Sequence, residues 1–307
     1  MASANTSVRY PWVAFALSFL SSGVGHIYCG RIVKGLLFYA SRFLLPLLIV
    51  LAAFSQPSNG ILIGLILLPA AASVAIYLFA PFDAFAIAKR AGVEYKLKDY
   101  NRPILYWVLI IIQLTYPVGL TWLCHKYVYE PFLIPTRSMT PSFLAGDRVL
   151  VNKRPLRNAF PERGDVIAFR TPASELGRIW LKRVVAVAGD HVVMKGRTIE
   201  VNGKTLEHER VALESMAEFR RHLEGDVYYE TNSGRRYRVQ FSDAIDSSDD
   251  EFSITVPERC VFVLGDNRDR SRDGRHIGPI HVEDVIGYVD YNYFPTETWS
   301  RFGLFRN

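Results

Sequence analysis

Two stretches of this chain, residues 60–82 and 103–124, contain no Asp, Glu, Lys or Arg at all. Each is close to the ~20 apolar residues that cross a hydrocarbon core, and such runs read as membrane-spanning helices. Residues 11–29 and 35–54 are also predominantly apolar, which brings the expectation to three or four spans. In the second of these, "GLLFYASRFLLPLLIVLAAF" places Arg42 eight residues in. A mid-membrane arginine costs ~2.5–3.5 kcal/mol, so Arg42 is expected to snorkel toward the nearer face. Segment 11–29 holds His26 and several glycines and reads as a spanning, tilted or re-entrant helix. A cleavable signal peptide is not expected, because a basic leader is nearly absent and further apolar segments follow at once.

Loop charges orient these segments. "KRAGVEYKLKDYNR" carries Lys89, Arg90, Lys96, Lys98 and Arg102 against Glu94 and Asp99, and Arg31 and Lys34 lie in the first short connection. "SQPSNG", between the second and third segments, is uncharged. The excess of Lys and Arg puts both basic loops in the cytoplasm. Everything after about residue 126 then lies outside, as does the N-terminus if segment 11–29 spans.

From residue 126 the pattern changes to short alternating runs bounded by Gly, Asp or Asn. "DRVLVNK", "GDVIAFR", "IWLKRVVAVAGD", "TIEVNGK", "YRVQF", "FSITVP", "CVFVLGD" and "DVIGYVDYNYF" read as strands. The division is a membrane anchor over 1–125 and an all-β domain over 126–307, a curled antiparallel sheet with a small insertion over about 203–257. Within that insertion "ERVALESMAEFRRHLEG" looks helical. The net charge of +6 suits nucleic acid or an anionic membrane. No zinc-finger spacing or base-reading helix accompanies it, which favours the membrane over nucleic acid. Three scattered cysteines make no disulfide framework. No CxxC or HExxH occurs, and no metal or other cofactor is expected.

"FLIPTRSMTPSFLAGDRVLV" sets Ser138 between prolines 135 and 141 soon after the last apolar run. Such a serine is either a turn former or a nucleophile held out for chemistry. Lys182 interrupts the strand-like "WLKRVVAVAGD". It either faces solvent on the alternating pattern or is buried, where desolvation lowers its pKa. A neutral lysine amine can take a proton from a hydroxyl, making serine and lysine a nucleophile and base. A third stretch, "GDNRDRSRDGR", crowds Asp266, Arg268, Asp269, Asp273 and Arg275 around Ser271. It reads as a salt-bridged loop or as support for a site.

In order, "IPTRSMTPSFLAGDRVLVNK", "RGDVIAFR", "LKRVVAVAGD" and "GDNRDRSRDGRHIGPI" resemble the conserved boxes of bacterial type I signal peptidases. The resemblance runs from residue 131 to about 295, with the insertion matched only loosely. It implies a fold shared with self-cleaving repressors and a membrane-bound endopeptidase on the extracytoplasmic side. That enzyme would cut signal peptides from exported preproteins after Ala-x-Ala-type sites, with preproteins and the lipid bilayer as its partners. By the same resemblance Ser138 is the nucleophile and Lys182 the general base. The Ser138 backbone N–H and the Thr136 hydroxyl form the oxyanion hole. Ser271 orients the lysine, and Asp273 and Arg275 hold its loop. Phe132, Ile134, Met139, Phe143, Trp180 and Leu181 line shallow pockets for small side chains.

Arg137 departs from the family pattern, standing where glycine is common, and Gly274 replaces a frequent serine. The extra membrane segments are also unusual, and "GVGHIYCGRIVKG" resembles a short motif of other multi-span proteins. Two other readings compete: a Ser–Lys processing peptidase for a dedicated secretion, conjugation or pilus substrate, and a non-catalytic membrane scaffold on the same fold.

Overall fold

The computed structural model describes residues 6–55, 59–91, 95–153, 160–212, 216, 220–242 and 251–305. The chain divides into two compact units, Met1–Trp122 and Leu123–Asn307.

The first unit is helical: α1 (Pro11–Leu20), α2 (Val24–Tyr28), α3 (Ile32–Ser55), α4 (Asn59–Ala91) and the start of α5 (Pro103–Tyr127). Segment 11–29 is not one helix. The chain breaks after Leu20 and re-enters α2 through Gly23 in a left-handed conformation (φ 96°). At 1.5 Å per residue, the ten residues of α1 reach about 15 Å, half of a hydrocarbon core. Among the described residues two helical stretches, Gly64–Ala91 and Pro103–Tyr127, are long and apolar enough to cross a membrane. Their large side chains face outward, with Leu68 75% and Trp107 61% exposed. That is the inverse of a soluble protein's packing. Arg42 lies over the Tyr77 ring, 5.4 Å from its centroid.

Two short strands, β1 (Thr6–Ser7) and β2 (Tyr95–Lys96), pair antiparallel. Tyr100 donates its hydroxyl hydrogen to the Gly30 carbonyl at 3.1 Å. Residues 6–7 and both basic loops therefore sit at the same end of the helical unit. An N-terminus on the opposite side from these loops was expected only if segment 11–29 spans, and the break at residues 21–23 divides that segment into two short helices.

The second unit is mostly β. Its strands are β3 (Tyr129–Leu133), β4 (Arg148–Asn152), β5 (Val166–Arg170), β6 (Ile179–Val187), β7 (His191–Lys195), β8 (Thr198–Val201), β9 (Lys204–Thr205), β10 (Glu207–Arg210), β11 (Gly225–Asn232), β12 (Arg235–Ser242), β13 (Glu251–Thr255), β14 (Cys260–Leu264), β15 (Ile280–His281), β16 (Val285–Phe294) and β17 (Gly303–Leu304), with a single helical turn α6 (Gly274–Ile277). All eight sequence stretches read as strands contain one. The main sheet runs β15-β14-β6-β5-β16-β4-β3, with β17 added to β16. Its pairings are antiparallel. β-Branched and aromatic residues dominate β6 and β16 and suit a pleated, buried surface.

The expected insertion over 203–257 is not one piece. β9 and β13 extend the sheet of β7 and β8, in the order β13-β7-β8-β9, and only β10-β11-β12 form a separate sheet. Hairpin β11–β12 closes through Ser233 and Gly234, both at positive φ (50° and 80°). A two-residue turn of that kind matches the twist of the flanking strands. Of the helix expected in "ERVALESMAEFRRHLEG", residues 209–210 lie in β10 and 220–222 form one tight turn. Residues 213–215 and 217–219 lie outside the described residues.

Candidate active site

Ser138 follows β3 on a turn that leads back into β4. Ile134 N–H donates to the Asp147 carbonyl at 2.9 Å and Gly146 N–H to the Ile134 carbonyl at 2.7 Å, closing the base of this turn. Met139 and Phe143 anchor its inner side in a core cluster with Ile134, Val149, Val151, Val166, Ala168 and Val289. The stiff segment thus keeps its apolar side chains inside while Thr136 and Ser138 remain accessible.

Lys182 sits opposite Ile167 in the β5–β6 pairing. It is only 4% exposed, so the solvent-facing alternative for this lysine is excluded. Its Nζ lies 2.6 Å from Ser138 Oγ and 5.8 Å from the Trp180 ring centroid. Burial draws the ammonium down to about 8; Asp273 and Asp266 pull the other way, and Arg275 adds to the lowering. Thr136 Oγ1 lies 3.2 Å from Ser138 Oγ, on the open side of the nucleophile candidate.

The "GDNRDRSRDGR" loop is not a solvated surface loop: Asp266, Asn267, Arg268, Ser271 and Asp273 are all buried. Asp273 caps α6 by accepting from the Arg275 N–H and accepts from the Gly265 N–H at 2.9 Å. Burial works against its ionisation, but the Arg275 guanidinium, 2.9 Å away, holds its carboxyl below the usual range. No hydrogen bond joins Ser271 Oγ to Lys182. Ser271 instead lies over Gly265, whose absent side chain leaves room for both Ser271 and the Ser138 carbonyl.

Of the six pocket candidates, Ile134, Met139 and Phe143 share one core cluster, with Phe132 and Leu181 packed against it. Trp180 does not join them. It packs against a second cluster with Ile167, Phe169 and Val184, because neighbouring residues of a strand point to opposite faces.

Arg183, Asn267, Glu230 and Gln240 were not singled out from sequence, and they act on residues that were. Arg183 grips Asp266 bidentately at 2.7 and 2.6 Å and stacks over the Tyr237 ring at 4.1 Å. Asn267 N–H donates to the Ser138 carbonyl at 3.1 Å, and its side-chain amide donates to the Arg137 carbonyl at 3.2 Å. Arg268 is buried against Glu230 of β11 at 2.6 Å. Glu230 also accepts from the Tyr237 hydroxyl at 2.6 Å and lies 2.9 Å from His208 Nε2. Burial opposes ionisation of Glu230, but Arg268, His208 and Tyr237 together hold its carboxyl down to about 2. Gln240 of β12 bridges the same loop: its N–H donates to the Asp266 carbonyl at 2.7 Å, and its carbonyl accepts from Arg268 N–H at 2.9 Å. Arg183, a second cation beside Lys182 in a strand, was a sequence signal of this support, as was the charged loop itself.

A hydroxyl in hydrogen-bond contact with an amine whose pKa is lowered by burial is a nucleophile and base arrangement. It is the constellation of a serine-type hydrolase that needs no histidine. Residues 104–294 match the family described as signal peptidase, peptidase S26. The match covers more than half of the chain, which belongs to this family and is a serine peptidase. The chain is 28% identical to signal peptidase I of Bacillus caldolyticus over 174 residues, covering 57% of this chain and 84% of that protein. It is 28% identical to the probable signal peptidase I-1 of Synechocystis sp. (strain ATCC 27184 / PCC 6803 / Kazusa) over 192 residues, covering 61% and 82%. With signal peptidase IB of Staphylococcus aureus (strain COL) the identity is 29% over 195 residues, covering 64% and 92%. A crystal structure of a signal peptidase I from Enterococcus faecalis V583 aligns at 27% identity over 43% of this chain and 97% of that one. Its TM-score of 0.26 is too low to compare the folds.

Proposed function

We propose that the protein is a membrane-bound serine endopeptidase that removes N-terminal signal peptides from exported preproteins. The observation that carries this reading is the 2.6 Å approach of Lys182 Nζ to Ser138 Oγ, with the amine buried and its pKa brought to about 8. Neutral Lys182 takes the hydroxyl proton as Ser138 Oγ attacks the scissile carbonyl carbon. The Ser138 backbone N–H and the Thr136 hydroxyl face the oxyanion that forms, where a preorganised donor contributes most. The lysine ammonium then gives its proton to the leaving amine. In the second half of the cycle, the neutral amine activates water to hydrolyse the acyl-enzyme ester. Ser271, Asp273 and Arg275 hold the loop behind the amine.

The substrate class rests on the family and on relatives named signal peptidase I. Phe132, Ile134, Met139, Phe143 and Leu181 make an apolar floor close to Ser138, suited to small residues such as those of Ala-x-Ala sites. Trp180 lies on the lysine side. The outward-facing apolar helices suit a lipid bilayer, and the basic loops favour a cytoplasmic end for residues 6–10, 30–34 and 89–102. Residues 126–307 then face the exterior, and α5 leads into β3 and the nucleophile with little chain between. Exposed Leu133, Phe294, Trp299 and Phe302 suit the headgroup region.

The test is cleavage of a model preprotein in detergent by the intact protein, by Ser138→Ala and by Lys182→Ala. Both substitutions are expected to abolish cleavage with expression and membrane insertion retained. Substantial turnover by either purified variant would overturn the assignment.

A further inference from the structure

Arg137 directly precedes the nucleophile, and its guanidinium is not free. Its Nη1 lies 2.7 Å from Glu224 Oε1, and Arg270 Nη1 lies 2.7 Å from the other carboxylate oxygen. One carboxylate shared by two guanidinium groups leaves a net single positive charge. Both arginines remain open to solvent, with side chains 54% and 50% exposed, so donors remain on each fork for a further acceptor.

The carboxylate that braces them is itself fixed. Leu223 packs against a cluster that includes fully buried Leu144, on the turn that carries Ser138. Arg221 and His222 both pair with Glu297. Arg270 comes from the loop behind Lys182. Three separate segments therefore meet to hold a surplus cation one residue from the reacting hydroxyl. A long arginine loses rotamer freedom when it binds, and an arginine already braced loses less.

We propose that Arg137, braced by Glu224 and seconded by Arg270, is a specificity-determining residue that favours an acidic substrate side chain next to the scissile bond. The inference rests on Ser138 being the nucleophile of a peptidase. An exposed charge pair of this kind is weak but selective, and an advantage of about two- to five-fold is expected at low salt. It should shrink in about 1 M salt, where screening reaches only ~3 Å.

The test uses the full-length protein in detergent and a preprotein series carrying Asp, Asn or Lys in turn at each of the two positions on either side of the cut. The readout is the ratio of kcat/KM for Asp over Asn at one position, compared within each protein. For the unmutated protein it should exceed two at one position at least, fall toward one in high salt, and be below one for Lys over Asn. Arg137→Gln should bring the Asp/Asn ratio to about one, and Arg270→Gln should lower it partway. Glu224→Gln, which raises the surplus charge, should increase it. Cleavage of the whole series at equal rates would overturn the inference while leaving the peptidase reading intact. A ratio that survives Arg137→Gln would also overturn it. Failure to cut any member would overturn both.

Discussion

The carbonyl of Ser138 rests against Gly265, at the end of the strand that feeds the supporting loop. A methyl group on Gly265 would lie 2.5 Å from the Ser138 carbonyl oxygen and would collide with the Ser271 hydroxyl. Two residues on, Asn267 N–H donates to that carbonyl at 3.1 Å. The direction of the Ser138 backbone is therefore set by a distant loop as well as by its own prolines.

Gly265→Ala is expected to displace that backbone, and with it the Ser138 N–H proposed above as an oxyanion donor. Overpacking of this size costs ~1–3 kcal/mol of stability, so the variant should still fold. Its kcat/KM should fall by at least about tenfold, since one oxyanion donor is worth ~10²–10³ in kcat. Preprotein cleavage set beside a thermal melt checks this, and a parent-like rate would mean the contact is slack.

Thr136→Val removes a hydroxyl 3.2 Å from Ser138 Oγ. A loss on the order of 10²–10³ in kcat with little change in KM is expected if that hydroxyl faces the oxyanion. A rate within a factor of two of the parent would remove Thr136 from the mechanism.

Activity should follow the neutral form of Lys182. With its pKa lowered to about 8, log kcat/KM should rise with unit slope as pH increases toward that value and then level. An unperturbed lysine would place the same break near ~10.4. Lys182→Arg keeps the cation but cannot lose its proton, so it should be inactive at every pH. Asp273 acts on Lys182 to raise its pKa, opposing burial. Asp273→Asn should therefore shift the break to lower pH. A break that stays in place would mean this carboxylate does not act on the amine.

Glu230 and Arg268 test the support of the loop. Glu230→Gln leaves Arg268 buried without its counter-charge, and breaking such a pair costs ~3–5 kcal/mol. A drop in melting temperature of several degrees or more is expected. The pH dependence has a definite sign: the folded-state value of Glu230, about 2, lies below the unfolded ~4.3. Its stabilisation is complete above the unfolded value and is lost as pH falls toward 2. An acid-unfolding curve should show Glu230→Gln losing less than the parent over that window.

Cysteine labelling in intact cells checks the topology. A cysteine placed within "KLKDY" or at Ser7 should resist a membrane-impermeant thiol reagent. One placed near Asn232 should react once outer-membrane access is ensured. Labelling of Ser7→Cys alone would separate residues 6–7 from the basic loop they pair with.

How much of this is legible in the sequence depends on the range of the interaction involved. Lys182 stands out because a charged residue amid β-branched neighbours is a local anomaly, and the strands announce themselves by alternation and turn residues. The break at Ser21–Gly23 is written in "SSG" but is masked there by the apolar residues on both sides. Gly265 has no such signature, since it matters only because Ser138 is folded against it. Glu230 looks like an ordinary surface charge until β11 is laid beside the loop that carries Arg268. Trp180 shows the limit of carrying a pocket over by position: one step along a strand changes its face.

The bridge from Gln240 to Asp266 and Arg268 has a consequence for how this peptidase can change. β10–β12 form a sheet of their own, yet they act as an outer splint for the loop behind Lys182. Grafting a relative's version of these strands would have to supply a backbone partner for Asp266 and a counter-ion for Arg268 together. The two regions are therefore bound to drift as one unit of inheritance, and neither can be exchanged as a spare part.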